Sequence, residues 1–169
     1  IMNLNAILQL PKGTEHFMSD IHGEHEAFLH ILNNGSGAIC EKIDELFESS
    51  ITTEARRELA VLIYYPQEAL QMIKKQDRDM ADWYRVFFNR LIQMTRYTTS
   101  KYSRSKVRKA MPPDFAYIME EMINTRGINK EAYYDNILRT AVELGCADTL
   151  IEQLCTLIKR MCVDALHIV

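Results

Sequence analysis

The sequence predicts an α/β chain, mostly α, with one short strand near each end and a long helical stretch between them. Three observations carry that reading. A short apolar run stops at Ser19, and six of the next seven residues, Asp20 to Glu26, are ligand-type side chains or glycine, as when a strand delivers its carboxyl end into a site. Val163 to Val169 alternates little and is apolar and β-branched enough to be a buried parallel strand. From Ala38 onward the apolar positions recur at helical spacing almost without interruption.

In chain order, Leu4, Ile7, Leu8 and Leu10 fall at helical spacing, and Pro11 with Gly13 is expected to end that turn. A strand is expected over Glu15 to Ser19. Asp20 and His22 lie two residues apart, so an extended backbone points both side chains the same way and lets them hold one cation from one side. Gly23 permits a sharp turn and a close approach of metal or phosphate to the backbone. The segment Glu24 to Asn33 puts Ala27, Phe28, Ile31 and Leu32 on one helical face, and Asn34-Gly35-Ser36-Gly37 closes it. A helix starting beside the site turns its positive dipole end toward bound anions.

Ile39, Ile43, Leu46 and Phe47 mark the next amphipathic helix. Thr52 or Thr53 caps one that runs through Ala55, Leu59, Leu62 and Ile63 to Tyr65, where Pro66 either breaks it or opens a further helix. The clearest periodicity is Met80, Trp83, Tyr84, Phe87, Phe88, Leu91, Ile92 and Thr95, a broad stripe with Asp82, Arg85, Asn89 and Arg96 off it. Core packing explains these aromatics. Pro112-Pro113 stops the run; Asp114 to Asn124 makes a short helix bounded by Arg126-Gly127; Glu131 to Leu144 and Asp148 to Met161 form a helical pair broken at Gly145. The helical stretch is too long for a simple crossover. Residues 1–34 are therefore read as the start of a site-bearing domain, 35–162 as a helical insertion and 163–169 as the second strand.

Composition excludes several classes. The 169 residues suit one domain, and 47% hydrophobic with 25% charged is ordinary for a globular chain. A net charge of -3 exerts no global pull on nucleic acid or anionic lipid. No apolar run approaches the roughly 18 residues of a membrane span, no charged region precedes a hydrophobic one at the start, and the expected compartment is the cytoplasm. Cys40, Cys146, Cys155 and Cys162 form no C-x-x-C pair, so they are read as reduced core residues.

Asp20-x-His22-Gly23 followed by Glu24 is similar to the first motif of the calcineurin-like metallophosphoesterases. The longer run Leu10 to Glu24 resembles the class III (firmicute-type) fructose-1,6-bisphosphatases. So do Tyr97 to Lys109 and the closing Val163 to Val169, and three matching stretches in order are more specific than the motif alone. The resemblance implies the strands of a metallophosphoesterase β-sandwich around a bimetallic site, with Asp20 and His22 as ligands of one metal. It also implies that a Gly-Asp motif, an Asn-His motif and further histidines would follow a second strand, and the chain stops at Val169. With Ile1 at the start, the expectation is an N-terminal portion of a longer enzyme, inactive by itself. Two strands without their usual neighbours would leave edges that pair with another chain or aggregate, and a homo-oligomer is expected.

Carboxylate and imidazole donors without thiolate suit Mn²⁺, Fe or Zn²⁺, and the resemblance favours Mn²⁺. Two such ions about 3.5 to 4 Å apart can activate a water and neutralise the oxygens of an in-line displacement. An aspartate capping the turn beside a solvated histidine is the bland alternative. A zinc peptidase is rejected on spacing, since His25-Glu26 is followed by Leu29 where the second histidine should stand and His30 comes one residue late. His25, Glu26 and His30 are read as helix-surface groups, and His16 and His167 as strand residues.

Arg96, Lys101, Arg104, Lys106, Arg108 and Lys109 occur between Arg96 and Pro113 with no acidic residue. Arg104, Lys106 and Arg108 are the candidate phosphate ligands, for the non-reacting phosphate of a sugar bisphosphate or for an anionic effector. A solvated charged helix end fits the same run. The implied reaction is hydrolysis of fructose 1,6-bisphosphate to fructose 6-phosphate and phosphate, a step of gluconeogenesis. The alternatives are the same chemistry on a phosphoprotein or dinucleoside polyphosphate, and a helical interaction module without catalysis.

Overall fold

Amphipathic segments need a common core to bury their apolar stripes, and here one long helix supplies it. In this computed structural model the described residues are 1–9, 14–125 and 130–169. Among them the order is α1 (Met2–Leu8), β1 (Glu15–Met18), α2 (His25–Asn34), α3 (Ala38–Phe47), α4 (Thr53–Tyr64), α5 (Pro66–Lys74), α6 (Met80–Thr99), α7 (Arg104–Ala110), α8 (Ala116–Asn124), α9 (Lys130–Glu143), α10 (Ala147–Cys162) and β2 (Ala165–Ile168). The expected breaks at Pro11 with Gly13 and at Arg126-Gly127 lie outside the described residues. The fold is α/β and mostly helical.

α6 is the axis. Its predicted stripe is buried from Trp83 to Thr95, only Met80 being half-buried, and Met94, Thr98 and Thr99 join it at the last turns. α10 lies along α6, while α3, α8 and α9 meet its other sides. Thr95 and Thr99 enter an apolar core without cost in unsatisfied groups because each hydroxyl donates to the carbonyl one turn back, Leu91 and Thr95, at 2.7 Å. Asp79 caps the helix by accepting from the amides of Ala81 and Asp82.

Both open choices in the sequence are resolved. Thr52 is the cap of α4, accepting from the Ala55 amide at 3.2 Å, and Pro66 opens α5 at its first position, where its missing N–H costs nothing. α2 ends at Gly35, whose φ of 60° is left-handed. A Cβ there would sit 3.3 Å from Val163 Cγ2, so the glycine also lets the chain leading to β2 pass close by. The helical run expected to continue to Pro112 is instead interrupted. α6 stops at Thr99, and Ser103 starts α7 afresh by accepting from the Lys106 amide at 3.3 Å.

β1 and β2 pair in parallel, with Glu15 opposite Ala165 and Met18 opposite Ile168. β2 is a parallel strand as expected, but it is not buried. Ala165 and Leu166 are half-buried and His167 and Ile168, on opposite faces, are exposed, because no layer among the described residues covers the carboxyl end of the pair. Phe17 stacks on His167, centroids 4.6 Å apart, and is still 69% exposed. No described helix is long and apolar enough to cross a membrane.

Candidate functional site

The motif sits where the sequence places it along the chain but is shaped differently. β1 ends at Met18, two residues before Asp20, and the chain turns at once. Asp20 and His22 adopt φ of 54° and 49°, and Gly23 follows at 74°. The Glu24 amide donates to the Ile21 carbonyl at 3.0 Å and the His25 amide to the Gly23 carbonyl at 2.9 Å, closing the turn directly onto α2. The expected extended backbone is therefore replaced by a tight turn. A non-glycine residue in left-handed backbone costs about 1–2 kcal/mol, and two in three residues is the kind of local strain that collects at ligand sites.

Asp20 and His22 are both exposed at the carboxyl end of β1, beside the start of α2. One carboxylate and one imidazole suit a divalent ion chemically. Two donors do not complete a coordination shell, and among the described residues no group of three or more His, Cys, Asp or Glu side chains is placed to hold one. His25, Glu26 and His30 lie on the exposed face of α2; His30 Nδ1 is 2.6 Å from the Tyr65 hydroxyl.

The basic candidates lie at the opposite end of the strands, and they divide into two groups. Lys106 Nζ is 2.5 Å from Asp164 Oδ1, and Lys101 Nζ is 3.6 Å from Asp164 Oδ2. Arg104 and Arg108 instead converge on Glu120 of α8, at 3.1 and 3.4 Å. Asp164 is a hub that sequence reading missed. Its Oδ2 accepts from the Thr14 amide at 2.9 Å and from the Tyr102 hydroxyl, while its own amide donates to the Thr14 carbonyl at 2.8 Å. It thus joins the starts of both strands to the α6–α7 connection and to α7.

Partial burial works to raise the Asp164 pKa, but the hydrogen bonds from Lys106 and Tyr102 and the charges of Lys106 and Lys101 outweigh it and hold it below the ordinary aspartate value. Burial and the same hydrogen bond push the Tyr102 phenol up. The sequence signal for Asp164 is slight, one acid leading an apolar strand. Glu120 has none, since only tertiary packing brings α8 to α7.

Between α6, α7 and α8 opens a cleft of about 340 Å³ lined by Arg96, Arg104, Arg108, Glu120 and Asn124 among others. Arg96 is pinned there by the carbonyls of Met122 and Thr125, at 2.8 and 2.6 Å, and by the Tyr134 hydroxyl.

The family model described as firmicute fructose-1,6-bisphosphatase matches residues 1–169. Fructose-1,6-bisphosphatase class 3 of Clostridium botulinum (strain Alaska E43 / Type E3) is 53% identical across the whole chain. The proteins of the same name from Clostridium tetani and Parabacteroides distasonis are 50% and 48% identical, also across the whole chain. In each case the chain spans only 26% of the relative's length. No solved structure matches it.

Proposed function

The chain belongs to the firmicute fructose-1,6-bisphosphatase family, and on that premise we propose that it forms part of an enzyme that hydrolyses fructose 1,6-bisphosphate to fructose 6-phosphate and phosphate. The observation that carries the reading is the Asp20-Ile21-His22-Gly23 turn at the carboxyl end of β1, with both donors exposed and both held at positive φ. Asp20 and His22 would hold a divalent ion, Mn²⁺ by preference, with the remaining donors supplied from outside the described residues. That ion, with a second beside it, would supply Lewis-acid stabilisation of a phosphoryl transfer whose uncatalysed rate is among the slowest known.

In this reading β1 and β2 are the first two strands of a metallophosphoesterase β-sandwich, and residues 35–162 are a helical insertion between them. Parallel sheets are covered on both faces; the register puts Phe17 and Ile168 on opposite faces of the pair, so their exposures of 69% and 59% fit a pair that is covered on both sides in a longer protein. Arg104, Lys106 and Arg108 are proposed as phosphate-binding groups, each exchanging a carboxylate of the protein for the ligand's anion. Side-chain exposures of 76%, 52% and 70% make that exchange accessible.

A substrate panel tests the function. The longer protein carrying this chain, supplied with Mn²⁺, is expected to release phosphate from fructose 1,6-bisphosphate in preference to a phosphoprotein or a dinucleoside polyphosphate. Preference for either of the others would keep the metal chemistry and replace the substrate.

A further inference from the structure

The six cations between Arg96 and Lys109 have no acidic residue among them, in a chain whose net charge is -3. Among the described residues, tertiary packing returns two carboxylates to them. Asp164 takes Lys101 and Lys106, and Glu120 takes Arg104 and Arg108. Arg96 is held through one terminal nitrogen by two carbonyls and a phenol, which leave its charge uncancelled, and its buried Nε has no partner among the described residues. The cleft lined by Arg96, Arg104, Arg108 and Glu120 therefore keeps an excess of two positive charges, three guanidinium groups against one carboxylate.

Two arginine forks already meet on one anionic point there, the Glu120 carboxylate, which shows where a bound anion would sit. Both arginine side chains are more than two-thirds exposed, and ion pairs that open to solvent are worth only about 0–1 kcal/mol. A phosphate dianion carries more charge and more acceptors than the carboxylate and is better matched to two forks.

We propose that this cleft between α6, α7 and α8 is an anion site that takes the phosphate of a small phosphomonoester, and that Glu120 occupies it when the ligand is absent. The proposal rests on the phosphate reading of Arg104 and Arg108 and is independent of the metal reading of Asp20 and His22. The phosphate it holds is not the one being hydrolysed. Tyr102, on the cleft wall, meets Asp164 at the start of β2, whereas Asp20 follows the far end of β1. The four-residue strand alone separates them by about 13 Å. Lys106 is not among the residues lining the cleft; it pairs with Asp164, and the phosphate contact proposed for it is separate from this site.

Inorganic phosphate titrated into the chain by calorimetry tests the site, with folding of each variant checked by circular dichroism. Saturable binding that weakens with added salt is expected. Replacing both arginines (Arg104→Ala with Arg108→Ala) should lower the affinity at least about tenfold. Glu120→Gln should raise it by removing the competing carboxylate, an outcome that a merely structural ion pair does not give. Asp20→Asn should leave it unchanged, so failure of the metal reading stays separable. No saturable binding into the millimolar range, binding indifferent to the double substitution, or weakening by Glu120→Gln would overturn the proposal.

The same double variant in the longer protein identifies the source of the phosphate. A raised KM for the bisphosphate places the substrate's second phosphate in the cleft. An unchanged KM with loss of any rate response to added inorganic phosphate places a separate anion there. No change in either would refute a role for the cleft in that protein.

Discussion

Asp164 receives Lys106, Lys101, Tyr102 and the Thr14 amide on one carboxylate with a side-chain exposure of 12%. Its pKa is lower folded than unfolded, so its stabilisation is complete above the ordinary aspartate value near 3.9 and is lost as pH falls through the lower folded value. Acid unfolding followed by circular dichroism should therefore steepen below about pH 4. Asp164→Asn should flatten that limb, and Asp164→Ala should cost about 2–3 kcal/mol at neutral pH. An unchanged acid limb in Asp164→Asn would count against the hub. The cysteines give a second test at this scale. Burial pushes the Cys155 and Cys162 thiols up to about 12, while Cys40 is exposed. A thiol reagent at mildly alkaline pH should label Cys40 and spare Cys155 and Cys162 until the chain is unfolded. Asp20, His22 and Gly23 stand out in the sequence because a spaced motif survives in one dimension, and the metal role given to the first two is a proposal. Asp164 and Glu120 do not stand out, because their meaning lies in partners some 60 and 16 residues away.

α6 shows why long helices read well from sequence. Twenty residues at period 3.6 leave little choice of face, and the predicted stripe is the buried one. α7 was lost in the same pattern, since seven residues carry one buried side chain, Val107, and their start depends on the Ser103 hydroxyl rather than on periodicity. The strand ends failed for a related reason. Alternation predicts an extended Asp20 and His22, but backbone conformation changes at Ser19 without any proline or glycine to announce it. The burial expected for β2 assumed covering layers that the described residues do not supply. Gly35 ties α2 to the chain leading into β2. Gly35→Ala should destabilise the chain by about 1–3 kcal/mol, from left-handed strain at φ 60° and from the 3.3 Å approach to Val163. Gly23→Ala, at φ 74° with open space around it, should cost only the strain, about 1–2 kcal/mol, and should act on the motif rather than on stability of the core. Urea denaturation of the two variants would separate them.

At the scale of the molecule, the chain divides into a well-buried helical body and a two-stranded sheet that presents the motif at one end and the basic cluster at the other. The helical body carries the core, so the chain should unfold as a unit whether or not metal is added. Two donors bind a metal weakly, and the chain alone is expected to release no phosphate from fructose 1,6-bisphosphate; measurable Mn²⁺-dependent turnover would overturn that expectation. Asp20 and His22 are proposed to hold a metal of a sugar bisphosphatase. The most direct test takes the longer protein carrying this chain, strips it with a chelator, and follows phosphate release from fructose 1,6-bisphosphate as Mn²⁺ is returned, for the native sequence, Asp20→Asn and His22→Gln. Activity that returns with Mn²⁺ in the native protein, and falls by about 10²-fold or more at equal metal in both variants, is the predicted result. Full activity in Asp20→Asn with the same Mn²⁺ requirement would contradict it.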